Sequence, residues 1–236
     1  MSKLYAGTSG WAYATWKPGF YPAKLSSKQF LSYYATRLNS VEVNYTYRSF
    51  PSEKLLNGWI AQTPPGFVFA VKAHQSITHI KRLRDVAEAT AKFISSLQPL
   101  VEVKKLGPVL FQLPPNLKYD LALLEDFLAG LSRKTRATME FRNASWFRDD
   151  VYLLLKKANV ALCIAESDDL ETPRICTADF FCLRLRRSAN PPKARKAVAQ
   201  YVSELVPEGD VFAYYKHEEE DPSGALHAEE LLSTVK

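Results

Sequence analysis

Cysteine is scarce in this chain: Cys163, Cys176 and Cys182 are the three in 236 residues. An odd number without C-x-x-C spacing implies neither a disulfide framework nor a zinc knuckle. Cys163 and Cys182 lie inside apolar runs and read as small buried hydrophobes. Long hydrophobic runs are missing too. No segment approaches the length of a bilayer span, and MSKLYAGTSG lacks the apolar stretch of a signal peptide. A cytoplasmic protein without a membrane partner is expected. Neither a linker nor a low-complexity segment interrupts the chain, so one domain over 1–236 is expected. Two catalytic signatures are absent as well. There is no H-E-x-x-H, and Ser9 sits in G-T-S-G-W, which lacks the second glycine of a G-x-S-x-G nucleophile elbow.

What is present is an ordinary globular mixture, 47% hydrophobic and 24% charged, with a formal net charge of +6. That excess favours anionic partners such as phosphates or nucleic acid, and says nothing of the fold. Short β-rich runs alternate with helical stretches from end to end. Strands are expected near Leu4–Thr8, Ser40–Asn44, Phe67–Ala73, Val109–Leu113, Ala137–Phe141, Ala161–Ala165, Phe180–Leu185 and Val211–Tyr215. The segments between them mostly carry i, i+3, i+4 apolar spacing, and Ser52 with Glu53 has the composition of a helix start. Between strands six and seven, ESDDLETPRICTAD is too polar and proline-broken for a full helix. The expected class is therefore α/β, a (β/α)8 TIM barrel with one degenerate helix between strands six and seven; an open doubly wound sheet is the alternative.

A TIM barrel keeps its site at the C-terminal strand ends. Residues two apart share a face of a strand, so FVFAVKAH separates into Phe67, Phe69 and Val71 on one side and Val68, Ala70, Lys72 and His74 on the other. The second set describes a lumen opening to its mouth. In the same phase Glu42 goes with Asn44, Gln112 with Leu110, Glu140 with Arg142, and Arg184 with Arg186. Any one of these charges is equally well explained by a buried ion pair, such as Lys72 with Glu42 or Glu140. Together they are costly to bury in a fold that needed only a core. The segment GTSGWAYATWKPGFYP adds five aromatics on no regular period. Trp16, Phe20 and Tyr21 are expected to pack under the loop, whereas Trp11 and Tyr13 suit stacking on a base or sugar.

GTSGWAYATW with FYP, VEVNYTYRSFP, FVFAVKAHQSITHIKRL, GPVLFQLPP and MEFRNASWF resemble, in order, the successive motifs of the YecE-like family, a domain of unknown function (family 72). The resemblance covers nearly the whole chain and implies a TIM barrel with no settled activity. It falls on Gly7, Ser9, Gly10, Trp11, Tyr13, Trp16, Glu42, Asn44, Tyr47, Lys72, Thr78, His79, Gln112, Pro114, Glu140, Arg142, Ser145 and Trp146. Beyond strand five the chain departs. The pattern implies an aspartate near Glu166, a His-Gly pair where Arg186 and Arg187 stand, and Asn-Asn-Asp where Lys216, His217 and Glu218 stand. Arg184 matches.

Several chemistries compete for this set. Glu42, His74, His79, Glu140 and Glu166 contain metal-ligand types, but Lys72, Arg142 and Arg184 would oppose a divalent ion, so no cofactor is expected and a divalent metal is the disfavoured alternative. Glu42 and Glu140 would make a glycosidase pair if suitably spaced. A nucleic-acid-binding or phosphodiester-cleaving barrel would use Trp11, Tyr13 and Tyr47 for stacking and the arginines for phosphates. The reading that uses most residues is an enzyme of hydrolase or lyase type with a small anionic substrate. Glu140, Lys72 and Glu42 are its catalytic candidates. Ser9, Trp11, Tyr13, Asn44, Tyr47, His74, His79, Gln112, Arg142, Trp146 and Arg184 are its binding candidates. A structural barrel is the remaining alternative.

Overall fold

The computed structural model describes residues 2–216 and 220–235. Among them are eight parallel strands: β1 Leu4–Thr8, β2 Ser40–Val43, β3 Val68–Lys72, β4 Leu106–Gln112, β5 Ala137–Glu140, β6 Ala161–Glu166, β7 Phe180–Leu185 and β8 Asp210–Tyr215. Each pairs with its neighbour in sequence from β2 to β8, and β8 pairs with β1 in register from Leu4–Val211 to Thr8–Tyr215. This is a (β/α)8 barrel. Its outer layer is α1 Phe30–Arg37, α2 Glu53–Ala61, α3 Ala87–Ser96, α4 Gln98–Glu102, α5 Leu121–Ala129, α6 Asp149–Ala158, α7 Pro192–Leu205 and α8 Ser223–Thr234. Ser52 caps α2 by accepting the Leu55 N–H at 3.2 Å, as its composition suggested. Residues 167–179, between β6 and β7, form no helix. No helix among the described residues is long and apolar enough to cross a membrane.

The period of two sorts residues as the sequence required. Phe67, Phe69, Val71 and Phe111 are buried in the layer between sheet and helices, each contributing roughly 1.5–3 kcal/mol of transfer free energy. The opposite phase fills the lumen. Its lower layers are Val68, Ala70, Ala161, Phe180, Phe212 and Tyr214, with Leu110, Cys163 and Cys182 clustered beside them. One step of two residues further along β3, β4, β5 and β7 lie Lys72, Gln112, Glu140 and Arg184. The polar layer is thus the next storey of the same lumen.

Closure between β1 and β2 uses side chains in place of a full ladder. Asn39 accepts the Ala6 N–H at 2.9 Å and donates to Leu4 O at 2.8 Å, standing in for a strand edge. The Tyr34 hydroxyl accepts the Thr8 N–H at 2.9 Å and donates to Ser40 O at 3.1 Å. A single backbone bridge joins Ser9 to Glu42. Gly7 makes this approach possible, because a Cβ there would lie 1.9 Å from Ser40 O. Above the seam, Trp16, Phe20 and Tyr21 are buried, with Tyr21 stacked on Phe30 at 4.3 Å. Gly10, at φ +103°, turns the chain over the top of β1.

Candidate functional site at the C-terminal strand ends

The centre of the polar layer is a buried bridge of Glu42, Arg184 and Glu140, exposed by 1%, 1% and 0%. Arg184 donates from Nε to Glu42 Oε2 at 2.7 Å and from Nη2 to Glu42 Oε1 at 2.7 Å, a bidentate fork, and from Nη1 to Glu140 Oε2. The remaining carboxylate oxygens are served from the rim. Ser9 Oγ donates to Glu42 Oε1 at 2.7 Å, and Arg186 Nη2 reaches Ser9 Oγ at 3.0 Å and Glu42 Oε1 at 3.3 Å. Glu140 Oε1 accepts from Gln112 Nε2 at 2.8 Å and from Arg142 Nε at 2.6 Å. Gln112 Oε1 in turn accepts from Lys72 Nζ at 2.8 Å, and that ammonium lies 4.4 Å from the centre of the Tyr47 ring. Four cations therefore surround two carboxylates.

These contacts set the protonation states. Burial pushes the Glu42 and Glu140 carboxyls up, but the charge of Arg184, joined by Arg186 and, at Glu140, by Arg142, outweighs it and brings both down to about 2. Burial pushes the Lys72 ammonium down, Arg184 adds to the push, and Glu42 and Glu140 oppose it; the result is about 8. Burial, with Lys72, Arg142 and Arg82, also lowers the His79 imidazole. Depressed carboxyl pKa values contribute stability that is complete above the ordinary value near 4.5 and is lost as pH falls through about 2. Glu140→Gln should accordingly differ from the wild type fully at about pH 5 and above, with the gap closing toward about pH 2. Urea unfolding across that range measures it; a gap independent of pH would contradict the assignment.

The sequence-derived candidates separate into three groups. Glu42, Glu140, Lys72, Gln112, Arg142, Arg184 and Ser9 form one continuous network. Tyr47 and His79 border it, their rings meeting edge to face at 5.1 Å, and Thr78 Oγ1 lies 2.9 Å from His79 Nδ1. Trp11, Tyr13 and Asn44 line an adjoining cavity of about 360 Å³. Two placements correct the sequence reading. His74 does not continue the lumen phase, because β3 ends at Lys72; its ring nitrogens meet Ser76 Oγ at 2.8 Å and Arg48 O at 3.3 Å, bracing two loops. Trp146 is fully buried, stacked on Phe141 and donating Nε1–H to Leu117 O at 2.8 Å, so no ligand reaches it.

A third correction concerns Arg184, expected to grip substrate: all three of its nitrogens serve glutamates and it lies beneath the mouth. A fourth concerns the ion pair offered for Lys72 with Glu42 or Glu140: the carboxylates are committed to Arg184, and Lys72 donates to Gln112 instead. Arg186 is the rim cation that the binding candidates omitted, although its phase with Arg184 was legible. Its Nε is buried without a hydrogen-bond partner. Glu166 turns aside, pairing with Arg174 at 3.0 Å and lying 3.7 Å from Arg187. Among the described residues no three His, Cys, Asp or Glu side chains converge as a metal-binding group. His217 and Glu218 lie outside the described residues.

Comparison with known proteins agrees with this architecture. A UPF0759 protein, YunF, of Bacillus subtilis (strain 168) is 30% identical over 156 residues, which is 63% of this chain; the match spans about half (54%) of that relative. The crystal structure of a DUF72 family protein from Thermotoga maritima MSB8 superposes with a TM-score of 0.87 at 26% identity, covering 98% of both chains. A DUF72 family protein from Enterococcus faecalis V583 shares the fold, with a TM-score of 0.75 at 17% identity over 100% of this chain and 98% of that one. The family model described as protein of unknown function DUF72 matches residues 5–236, and this chain belongs to that family.

Proposed function

We propose that this protein is an enzyme acting on a small anionic substrate at the barrel mouth, with Lys72 as the proton-transfer residue and Arg142 and Arg186 as the anion-binding groups. The observation that supports it is the charge of the layer. Among the described residues, Lys72, Arg142, Arg184 and Arg186 face Glu42 and Glu140, an excess of two positive charges. A phosphate or carboxylate of the substrate balances it. Arg142, 37% exposed along its side chain, binds Glu140 through Nε and keeps its two terminal nitrogens for a ligand. Glu42 and Glu140 have a different role from the one expected of them. Ionised and tied to Arg184, they position the cations, and neither supplies the protonated carboxyl that a glycosidase acid requires. Proton transfer passes to Lys72, which near neutral pH holds both of its forms in useful amounts.

Thermal unfolding with a panel of sugar phosphates, nucleotides, dicarboxylates and short oligonucleotides, with and without divalent ions, tests the reading. A bound anion at about one hundred times its Kd adds roughly 2.7 kcal/mol, or about 5–10 °C. Arg142→Ala should lose the shift, and Lys72→Met should keep binding while losing turnover. Absence of a shift with every anion rejects the reading. A shift confined to oligonucleotides and steeply salt-dependent moves the assignment to nucleic acid.

A further inference from the structure

Among the described residues of the network, Lys72 is the charged side chain without an ion pair. Its Nζ donates to Gln112 Oε1, a neutral amide oxygen, at 2.8 Å and lies 4.4 Å from the centre of the Tyr47 ring. That amide is held in one orientation, because its Nε2 is spent on Glu140 Oε1. Gln112 therefore presents only an acceptor to Lys72. A neutral amine satisfies that acceptor with one N–H and keeps a lone pair. The surrounding charge favours the neutral form: the layer carries an excess of two positive charges, and loss of the Lys72 proton halves it. Burial, Arg184 and Arg186 lower the ammonium, Glu42 and Glu140 oppose them, and the outcome is about 8. His79, beyond the Tyr47 ring, is itself lowered by Lys72 and adds no negative charge. Lys72 is half-buried at the C-terminal end of β3, the end at which a barrel takes its ligands.

We propose that Lys72 is a nucleophile and that the substrate is an oxo-anion, whose aldehyde or ketone carbon bonds to Nζ as a Schiff base while its carboxylate or phosphate rests on Arg142. The inference rests on the anion reading above, and adds to it the substrate class and the bond that the deprotonated lysine makes. One chain of hydrogen bonds joins the two groups. Lys72 Nζ donates to Gln112 Oε1, Gln112 Nε2 donates to Glu140 Oε1, and Arg142 Nε donates to that same oxygen at 2.6 Å. Amine and guanidinium are thus fixed relative to each other across the ends of β3, β4 and β5. The step balances without an oxidant or a further reactant. The free amine attacks the carbonyl carbon, and a proton passes from nitrogen to the carbonyl oxygen. That oxygen then leaves as water, taking the proton that the ammonium first released, and a C=N iminium remains on Nζ. The iminium carries the same charge as the ammonium it replaces, so the substrate anion still balances the layer.

Pyruvate and dihydroxyacetone phosphate are the oxo-anion probes and acetone is the neutral ketone, each added to the full chain with sodium cyanoborohydride. Hydride from the reagent reduces the C=N bond to a stable secondary amine, and peptide masses locate it. At about pH 7 an oxo-anion should label Lys72 roughly tenfold faster than any other lysine, and labelling should rise with pH through about 8 as the free amine accumulates. Arg142→Ala should remove the advantage of the oxo-anions over acetone. Lys72→Arg keeps the cation and cannot form the imine, so it should lose the label while pyruvate still raises its unfolding temperature. If Lys72 is labelled no faster than the other lysines while the oxo-anions still stabilise the wild type through Arg142, the nucleophile is overturned and the anion reading stands. Equal labelling of Lys72 by acetone and by both oxo-anions overturns the substrate class. Failure of both oxo-anions to label or to stabilise overturns the anion reading and this inference together.

Discussion

Replacing Arg184 by methionine is expected to cost about 3–5 kcal/mol of stability, because it leaves two carboxylates buried without the cation that lies between them. Methionine replaces the aliphatic stem and ends near the position of Nε, so packing along the stem survives and the guanidinium charge is lost. The pH dependence should reverse. In the wild type Arg184 holds both carboxyls near 2, and acid removes stability. In Arg184→Met burial acts with less opposition and pushes them above their ordinary value, so their unfavourable contribution is present at neutral pH and is relieved as pH falls through the raised pKa. Urea unfolding at about pH 7 and about pH 5 measures both effects. Adding Glu42→Gln and Glu140→Gln to Arg184→Met should return much of the loss, since a neutral amide costs far less to bury than a carboxylate. A loss below about 1 kcal/mol in the single variant would place the bridge among weak ion pairs and remove its structural role.

The seam between β1 and β2 gives the second large effect. Gly7→Ala should destabilise by about 3 kcal/mol or more, since the new methyl would lie 1.9 Å from Ser40 O and 2.7 Å from the Tyr34 hydroxyl. Backbone cannot rotate away as a side chain can, so the two strands must separate. Their separation breaks the Tyr34 bonds to Thr8 N–H and Ser40 O at one stroke. Tyr34→Phe removes those bonds without steric conflict and should cost about 1–3 kcal/mol. Thermal unfolding of the pair orders the two contributions. Gly7→Ala milder than Tyr34→Phe would show that the seam has room that the glycine does not explain.

Much of the fold was legible because alternation of period two survives wherever one strand face packs on helices and the other lines a lumen. Seven strand assignments agree with the structure to within a residue or two at each end, and β4 begins three residues earlier, at Leu106. The phase alone selected Lys72, Gln112, Glu140 and Arg184 as one layer. Phase does not say which charge touches which. Arg184 lies 142 residues from one glutamate and 44 from the other, so its position between them appears only in three dimensions. His74 was misplaced because the alternation was carried past the true end of β3. Trp59 and Leu55 belong to α2 and look like ordinary helix core; only the barrel brings them to Trp11. Asn39 and Tyr34, which close the seam, carry no local sign of that task.

The bridge also has an order in time. As the chain leaves the ribosome, Glu42 and Glu140 emerge before their shared counterion, and Arg184 follows only when β7 is made. Until then the first five strands present two interior acids with no guanidinium between them, a poor arrangement on which to seal an incomplete barrel. A nascent chain that ends before β7 has Arg142 beside Glu140 and lacks the cation that joins the two acids. Arg184 acts as a late latch, which commits the ring of strands once the seventh has arrived.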